Sequence, residues 1–184
     1  MSNFPVHTAE TAPADAVGTL NAVKKSYGFL PNLIGAMATA PALAEGYVTL
    51  AGIFGKTSFN ATEQQIVLLA ASNENGCTYC MAAHSTIASM QKVPADVVDS
   101  LRNNTPIADT KLEALRRLTI DVVQSRGLPS DDVVQSFLDA GYGQQQILEV
   151  VLGVGLKTLS NYTNHLSQHP LDQAFQAAEW SKAA

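Results

Sequence analysis

Residues 62–84 read TEQQIVLLAASNENGCTYCMAAH, and this stretch decides the fold class. Its first part spaces apolar residues at helical intervals, which predicts a helix with an N-cap at Thr62 and an end near Glu74. The dipeptide Asn75-Gly76 interrupts that pattern, and a second helix is predicted to begin around Cys77. Two helices joined by a tight break therefore form the predicted centre of the fold.

The rest of the chain has the same helical periodicity. Sustained alternation of apolar and polar residues, the pattern typical of strands, does not occur in the sequence. The 184 residues suit a single all-α domain spanning 1–184, with the pattern above as its core motif over 62–89. The further predicted helices are 14–27, a short one ending near residue 38, 41–54, 96–101, 109–126, 130–140, 144–165 and 171–180.

Two segments of the chain resemble each other. Residues 64–84 and 145–165 have equal length, begin with Gln-Gln-Ile, are apolar in the middle and end in His. The alignment sets Cys77 and Cys80 opposite Thr158 and Asn161, so only the first segment carries thiols. If this similarity reflects a duplication, it predicts a helical core with pseudo-twofold character and one functional half.

The charge balance argues against two classes of partner. Eleven basic and sixteen acidic side chains give a net charge of −5, which repels phosphate backbones and anionic lipid. We therefore expect neither nucleic acid nor a membrane surface as a partner. Residues 1–13 do not have the pattern of a secretory signal, and the apolar stretches are too short to span a bilayer. A cytoplasmic protein is the expectation.

The two cysteines carry the chemistry that the sequence predicts. A disulfide between Cys77 and Cys80 would close so short a loop that it could stabilise the fold very little. The pair is better explained as a redox-active dithiol or as part of a metal site. A helix N-terminus favours the thiolate, and His84 lies one turn after Cys80 on the same face.

Several interpretations stay open at this point. Either Cys80, with a base beside it, or Cys77, nearest the helix start, could be the attacking thiol. The pattern CxxCxxxH could instead supply three zinc ligands, with a fourth from His165, His169, Glu63 or Glu74. A thiol redox sensor without enzymatic activity is a further possibility. His169, which precedes Pro170, is predicted to lie at the surface, and the repeat suggests a pocket position for His165.

The motif resembles that of a known family. The pattern Asn-Gly-Cys-x-Tyr-Cys-x-x-Ala-His at 75–84, with the helix before it, is similar to the core of the alkylhydroperoxidase D and carboxymuconolactone decarboxylase group. The flanking segments 27–32 and 161–172 resemble its peroxidase-related branch. This resemblance implies an all-α fold, a trimer or a hexamer built from trimers, and a dithiol peroxidase that needs no cofactor.

The family's mechanism implies roles for three residues. The second cysteine attacks the peroxide, the first condenses with the resulting sulfenic acid, and a dithiol partner such as a dihydrolipoyl or thioredoxin-like protein reduces the disulfide. Transferred to this sequence, Cys80 is peroxidatic, Cys77 is resolving and His84 belongs to a proton relay. The alternative within the family is a carboxymuconolactone decarboxylase-like enzyme that uses His84 and His165 for proton transfer on a small organic acid.

Two positions depart from the family pattern. The relay carboxylate of that pattern falls at Gln65, which cannot take up a proton at neutral pH, and Tyr79 stands where the best-known member has His. We hypothesise that Glu74 or Glu63 replaces the missing acid. Glu74 could approach the thiols from the bend, whereas Glu63, two residues before Gln65, should point to a different side of the helix or simply complement the dipole of the first turn.

Overall fold

A computed structural model describes residues 4–182, and over this range it contains helices and no strand. The predicted all-α class is confirmed. No helix in the described range is both long and apolar enough to cross a bilayer. The elements are α1 (Ala14–Tyr27), α2 (Asn32–Met37), α3 (Pro41–Phe54), α4 (Ala61–Glu74), α5 (Thr78–Met90), α6 (Ala95–Asn103), α7 (Thr110–Gln124), α8 (Asp131–Asp139), α9 (Gln144–Ser167) and a short 3₁₀ helix (Gln173–Ala178).

Helix α4 lies at the centre of the molecule. The residues from Gln65 to Asn73 are all buried, so the helix is enclosed on every side rather than along one stripe. It packs against α5, α6, α7 and α9. Because α5 and α9 both contact α4, the thiol motif and the long C-terminal helix meet around it.

The N-cap of α4 lies two residues before the predicted one. The N-cap is Asn60 and not Thr62: the Asn60 side chain accepts from the N–H of Glu63 at 3.0 Å, and the Glu63 carboxylate accepts from the N–H of Asn60 at 2.9 Å. This reciprocal capping box satisfies two of the helix's free donors, which the hydroxyl of Thr62 alone could not do.

The break between α4 and α5 fixes the position of the cysteines. Gly76 adopts a left-handed conformation with φ of 67°, which a side chain would disfavour. The chain then reverses, and the N–H of Cys77 donates to the carbonyl of Ser72 at 2.9 Å. Cys77 is consequently the N-cap of α5, and Cys80 lies in the first turn of that helix.

Helix α9 approaches the core closely at one glycine. A Cβ atom at Gly153 would lie 2.5 Å from Cγ1 of Val67 and 2.7 Å from the ring of Phe54. Only a glycine allows this separation, because real Cβ atoms do not come so close to other carbons. The contact sets α9 directly against α4 and α3, with the following turns of α9 beside the thiols.

The two similar segments do not share a structure. Residues 64–84 cross from α4 through the break into α5, whereas residues 145–165 lie within the single helix α9. The second segment has no counterpart of the left-handed Gly76, so nothing interrupts its helix. The predicted helices other than the last are present with ends within about two residues, and the last, predicted over 171–180, is the 3₁₀ helix.

Candidate active site

Both cysteines are reduced and enclosed at the start of α5. Cys77 is 0% exposed and Cys80 is 1% exposed, and they form no disulfide. The interaction of the Cys77 side chain with Cys80 is one of the causes that lower the pKa of Cys80. Two thiols in this arrangement can share one negative charge between them.

A polar stripe on α9 faces the two thiols. Asn164 Nδ2 donates to Cys77 Sγ at 3.5 Å. Asn161 and Ser160 are polar neighbours that contribute to the lowered pKa of Cys80, while the hydroxyl of Ser160 also donates to the carbonyl of Lys157 at 3.2 Å. Asn75 Nδ2 donates to Oδ1 of Asn161 at 2.9 Å, and the Asn161 amide nitrogen donates to Oγ of Ser72 at 3.5 Å, so the Asn161 side chain is held between α9 and the end of α4. The four members lie at helical spacing, and each is at least nine-tenths buried. We call them the polar stripe of α9: Lys157, Ser160, Asn161 and Asn164.

Lys157 places a positive charge within this buried region. Its side chain is 1% exposed, and Nζ has no hydrogen-bond partner among the residues that the structure describes. A buried ammonium group is strongly unfavourable unless a negative charge balances it. The charge of Lys157 acts on both Cys80 and Cys77, and it stabilises a thiolate there.

The two thiols differ in acidity. Burial opposes ionisation of Cys80, but the hydrogen bond from Cys77, the charge of Lys157 and the hydrogen bonds from α9 outweigh it and lower the pKa of Cys80. The hydrogen bond to Cys80, together with burial, raises the pKa of Cys77. One negative charge is therefore held by Cys80, which favours Cys80 over Cys77 as the nucleophile.

His84 belongs to a hydrogen-bonded row of three side chains. Gln65 Nε2 donates to Gln91 Oε1 at 3.0 Å, so Gln65 Oε1 faces Nδ1 of His84 at 3.1 Å. An amide oxygen can only accept, and this network therefore assigns the proton of His84 to Nδ1 and leaves Nε2 as the acceptor. Burial, followed by the charge of Lys157, lowers the pKa of His84 well below its usual value, so the ring is neutral at neutral pH.

The two candidate relay carboxylates have other partners. Glu63 caps α4 and also accepts a hydrogen bond from the hydroxyl of Tyr142 at 2.9 Å. Glu74 Oε1 accepts from Gln124 Nε2 at 3.0 Å. Within the described part of the chain, neither carboxylate hydrogen-bonds to a cysteine or to His84. A relay function for either one stays a prediction without a contact to support it.

Tyr79, the other departure from the family pattern, is a buried anchor. Its hydroxyl donates to the carboxylate of Asp172 at 2.5 Å, and the same carboxylate accepts from the backbone N–H of Asn32 at 3.2 Å. This contact joins the start of α5 to α2 and to the C-terminal segment.

A cavity of about 480 Å³ adjoins the Cys77 side of the motif. His165 is exposed and lines this cavity, whereas His169 is only 8% exposed, so the predicted surface position of His169 is wrong. Its ring lies edge-on to Tyr79 with 4.7 Å between centroids, which explains the burial. The lining residues are Gly76, Thr78, Tyr79, Asn164, His165, Gln168, His169, Leu171, Glu179 and Trp180.

Comparison with solved structures identifies the fold. No protein-family model matches the sequence, and no curated protein matches it either. A peroxidase-related protein of Ralstonia eutropha JMP134, described as an alkylhydroperoxidase AhpD core, superposes with a TM-score of 0.82 at 19% identity, covering 95% of this chain and 94% of that one. The chain has the AhpD-like fold. A peroxidase-related protein of Silicibacter sp. TM1040 agrees, with a TM-score of 0.78, 12% identity, and coverage of 95% and 92%.

A third AhpD-like structure has a different described activity. The debrominase Bmp8 superposes on this chain with a TM-score of 0.80 at 18% identity, covering 97% of this chain and 96% of Bmp8. A cysteine-to-alanine variant of Bmp8 is known in complex with 2,3,4-tribromopyrrole. Two of these neighbours are thus described as uncharacterized peroxidase-related proteins and one as a debrominase, so the shared fold does not by itself assign an activity.

Some site residues could not be found from local spacing. Lys157, Asn161 and Asn164 lie about eighty residues from the cysteines, and His169 resembled a surface residue because it precedes Pro170. One signal was present: Lys157 is the only charge between Val150 and His165, in a helix otherwise rich in apolar and small polar residues. A charge at such a position is rarely buried without a function.

The zinc interpretation finds no ligand set in this structure. Within residues 4–182, no three His, Cys, Asp or Glu side chains come together in a way that could hold a metal ion. His84, the third member of the CxxCxxxH pattern, hydrogen-bonds to Gln65 instead.

Proposed function

We propose that this AhpD-like protein is a cofactor-independent dithiol peroxidase that reduces hydrogen peroxide or alkyl hydroperoxides. The observation that supports it best is the pair of buried thiols whose negative charge is held on Cys80 by Lys157 and the polar stripe of α9. A thiolate is the reactive form of cysteine, and a second thiol beside it prevents overoxidation.

The reaction proceeds in two steps on this chain. The Cys80 thiolate attacks one peroxide oxygen, the O–O bond breaks, and the leaving alkoxide or hydroxide takes up a proton to give an alcohol or water. The Cys77 sulfur then attacks the Cys80 sulfenic acid, water leaves, and a disulfide forms. We assign His84 to proton transfer between these groups, because its Nε2 is free to accept while Gln65 holds Nδ1.

Regeneration needs a reductant that donates two electrons. We propose a dithiol such as a dihydrolipoyl or thioredoxin-like protein, acting in a reducing compartment such as the cytoplasm. The disulfide between Cys77 and Cys80 must take up two electrons and two protons to return to the dithiol, so a reductant has to supply them. We also expect a homo-oligomer, either a trimer or a hexamer.

The decisive experiment is single-turnover peroxide consumption by the pre-reduced protein. The wild type should consume about one equivalent and lose both thiols together as the disulfide forms. Cys77→Ser should stop at a sulfenic acid that a dimedone-type probe traps, and Cys80→Ser should be inert. If Cys77→Ser is inert and Cys80→Ser reacts, the order of the thiols is reversed. If none of the three consumes peroxide, the proposed function is wrong.

A second candidate is dehalogenation. Gln65 removes the carboxylic acid that the peroxidase pattern uses for proton delivery, while the thiolate at Cys80 keeps its nucleophilic environment. Bmp8 shares the fold and is described as a debrominase. Incubation of the reduced protein with 2,3,4-tribromopyrrole, with bromide release as the readout and Cys80→Ser as the control, would test this activity directly.

The proton-transfer and sensor alternatives have their own test. His84 is half-buried and hydrogen-bonds to Gln65, whereas His165 is exposed on α9 and lines the cavity. Alkylation of both thiols should abolish peroxidase activity. A reaction on a small organic acid that survives alkylation would instead support the decarboxylase-like enzyme, and thiol oxidation without turnover would support a sensor.

A further inference from the structure

Lys157 is positioned by the packing of α9 against α5. Asn164 of α9 donates to Cys77 Sγ at the start of α5 at 3.5 Å. Lys157 comes about two helical turns before Asn164, and its charge acts on Cys80 and His84, which come after Cys77. The two helices therefore run in opposite directions, and the ammonium group lies on the face of α9 next to the sulfur that reacts.

The ammonium group of Lys157 has unused donors. Nζ is buried, and among the residues that the structure describes it has neither a hydrogen-bond partner nor an ion pair with a carboxylate. In the reduced protein the thiolate of Cys80 balances its charge. An ammonium group carries three N–H donors, which are thus available to an oxygen that binds beside Cys80.

Attack on a peroxide removes this counter-charge. The negative charge of the Cys80 thiolate passes to the leaving oxygen, and the sulfur becomes part of an uncharged sulfenic acid. An ammonium group that stays in the buried site without a counter-charge is strongly unfavourable. One proton transferred from Nζ to the leaving oxygen removes both charges, because it yields a neutral amine and a neutral alcohol or water.

The other groups at the site are poorer sources of this proton. His84 carries its proton on Nδ1, where the Gln65 oxygen accepts it, and Nε2 has none to give. Gln65 is an amide and has no acidic proton. The interaction of Cys77 with Cys80, followed by burial, raises the pKa of Cys77, so this thiol keeps its proton until it attacks the sulfenic acid.

We propose that Lys157 donates the proton to the leaving oxygen of the peroxide and stays a neutral amine while the disulfide persists. This inference rests on the proposed function, because it needs Cys80 to attack a peroxide. The Cys80 thiolate, the Cys77 thiol, protonated Lys157 and a hydroperoxide become the disulfide, neutral Lys157, an alcohol and water. The cysteines lose two electrons, the O–O bond gains them, and no proton comes from the solvent.

Lys157→Arg separates the proton from the charge. A guanidinium group keeps the positive charge that holds the Cys80 thiolate, but it does not release a proton in proteins. Alkylation by iodoacetamide, whose leaving iodide needs no proton, first establishes that Cys80 is ionised at pH 7 in wild type and variant. Lys56→Arg, an exchange at an exposed position, is the matched control.

The first readout compares two oxidants of similar size in single turnover. Ethyl hydroperoxide leaves as ethoxide, a strong base that needs a proton, whereas peracetic acid leaves as acetate, which needs none. We expect Lys157→Arg to slow the reaction with ethyl hydroperoxide about tenfold or more, with little change for peracetic acid. Lys157→Met should lower the ratio of the two rates in the same way, because the thiolate fraction affects both oxidants equally and cancels in the ratio.

The second readout is proton uptake, followed with a pH indicator in weakly buffered solution at pH 7. Wild type and Lys56→Arg should form the disulfide with ethyl hydroperoxide without taking up a proton. Lys157→Arg, in which the solvent must protonate the ethoxide, should take up about one proton for each disulfide. One proton taken up by the wild type, or an equal loss of rate with both oxidants in Lys157→Arg, would overturn the proposal.

The two proposals fail in different ways. If iodoacetamide alkylates Cys80 but the wild type consumes no hydroperoxide, the peroxidase function is wrong and the proton donor falls with it. If the wild type consumes ethyl hydroperoxide and Lys157→Arg does so at the same rate, only the assignment of Lys157 as proton donor is wrong.

Discussion

The ammonium group of Lys157 is buried and has no hydrogen-bond partner among residues 4–182, so another group must balance its charge. In this molecule the available answer is the Cys80 thiolate, since Lys157 lowers the pKa of Cys80 and lies on the helix face that contacts it. The pairing works in both directions: the thiolate makes burial of the ammonium tolerable, and the ammonium keeps the thiol ionised.

Replacing this lysine gives a prediction with a definite sign. Because the folded pKa of Cys80 is lowered, the reactive thiolate persists below the ordinary thiol pKa and is lost only as the pH falls through the lowered value. Lys157→Met raises that pKa, so the pH–rate curve for alkylation by iodoacetamide should move to higher pH. The rate below neutral pH should fall about tenfold for each unit of the shift.

Lys56→Met is the matched control, because Lys56 is exposed in the loop between α3 and α4. It should leave the curve in place. An unchanged curve in Lys157→Met would mean that the lysine charge does not act on Cys80. Once the lysine charge is gone, Cys80 can take up a proton, so no unpaired buried charge remains and urea unfolding of Lys157→Met should show little change in stability.

The amide at Gln65 offers a second residue-scale test. Gln65→Glu puts a carboxylate against Nδ1 of His84, where the family pattern has one, and the opposite charge should raise the lowered pKa of His84. Titration of the His84 imidazole by NMR would measure this shift. If proton delivery limits the reaction, single-turnover peroxide consumption should also become faster.

Gln64→Glu adds the same charge one residue away, where the Gln64 side chain donates to the carbonyl of Phe59 instead. It should leave the titration of His84 unchanged. A His84 pKa that does not respond to Gln65→Glu would argue that the two side chains are not in contact in solution.

The sequence was sufficient for the part of the site that depends on local spacing. Cys77, Cys80 and His84 belong to one helix start, and both the break at Gly76 and the helical period are local properties. The side chains that shift the pKa values of the two cysteines come from α9. The position of α9 against α4 is set by packing between distant parts of the chain, and no local sequence pattern encodes it. His169 was misplaced for the same reason, since only its contact with Tyr79 buries it.

At the scale of elements, the sequence predicted where the helices begin and end, but not which helices pack against each other. The periodicity located α1 and α3 to the residue, because Gly28 ends the first and Pro41 begins the second. The similarity of 64–84 to 145–165 was misleading, since equal apolar spacing arises wherever two helices are buried. The stripe in α9 that matters for chemistry is polar and not apolar.

The close approach of α9 gives an element-scale prediction. Gly153→Ala would bring a Cβ to 2.5 Å from Cγ1 of Val67, so α9 must move away from the core. We expect a loss of about 1–3 kcal/mol in the free energy of unfolding from overpacking, measured by urea denaturation. The pKa of Cys80 should rise in the same variant, because the polar stripe of α9 moves with the helix.

Gly155→Ala is the matched control on the same helix. A Cβ there meets nothing within 4 Å, so the better helix propensity of alanine should raise stability by up to about 1 kcal/mol. Equal stabilisation by both substitutions would show that α9 does not need glycine at 153 for its packing.

At the scale of the whole molecule, α9 has the reverse of the usual arrangement. Its polar stripe is buried against the thiols, while the opposite face exposes large apolar side chains to solvent. These are Leu148 at 70%, Val151 at 50%, Tyr162 at 54% and Leu166 at 71% exposure. Their helical spacing makes one continuous apolar face, and an exposed apolar face of this kind indicates a surface that another chain covers.

We therefore expect the wild-type protein to be a homo-oligomer that uses this face of α9. Leu166→Glu should place a charge in the interface and reduce the mass measured by light scattering after size-exclusion chromatography at micromolar concentration. The control is Leu128→Glu, which introduces the same charge at a residue that is 82% exposed in the loop after α7 and away from α9. A monomeric wild type, or dissociation by Leu128→Glu and not by Leu166→Glu, would contradict the assignment. Because the same helix carries the polar stripe of α9, a shift in the pKa of Cys80 upon dissociation would further show that assembly holds α9 in the position that ionises the thiol.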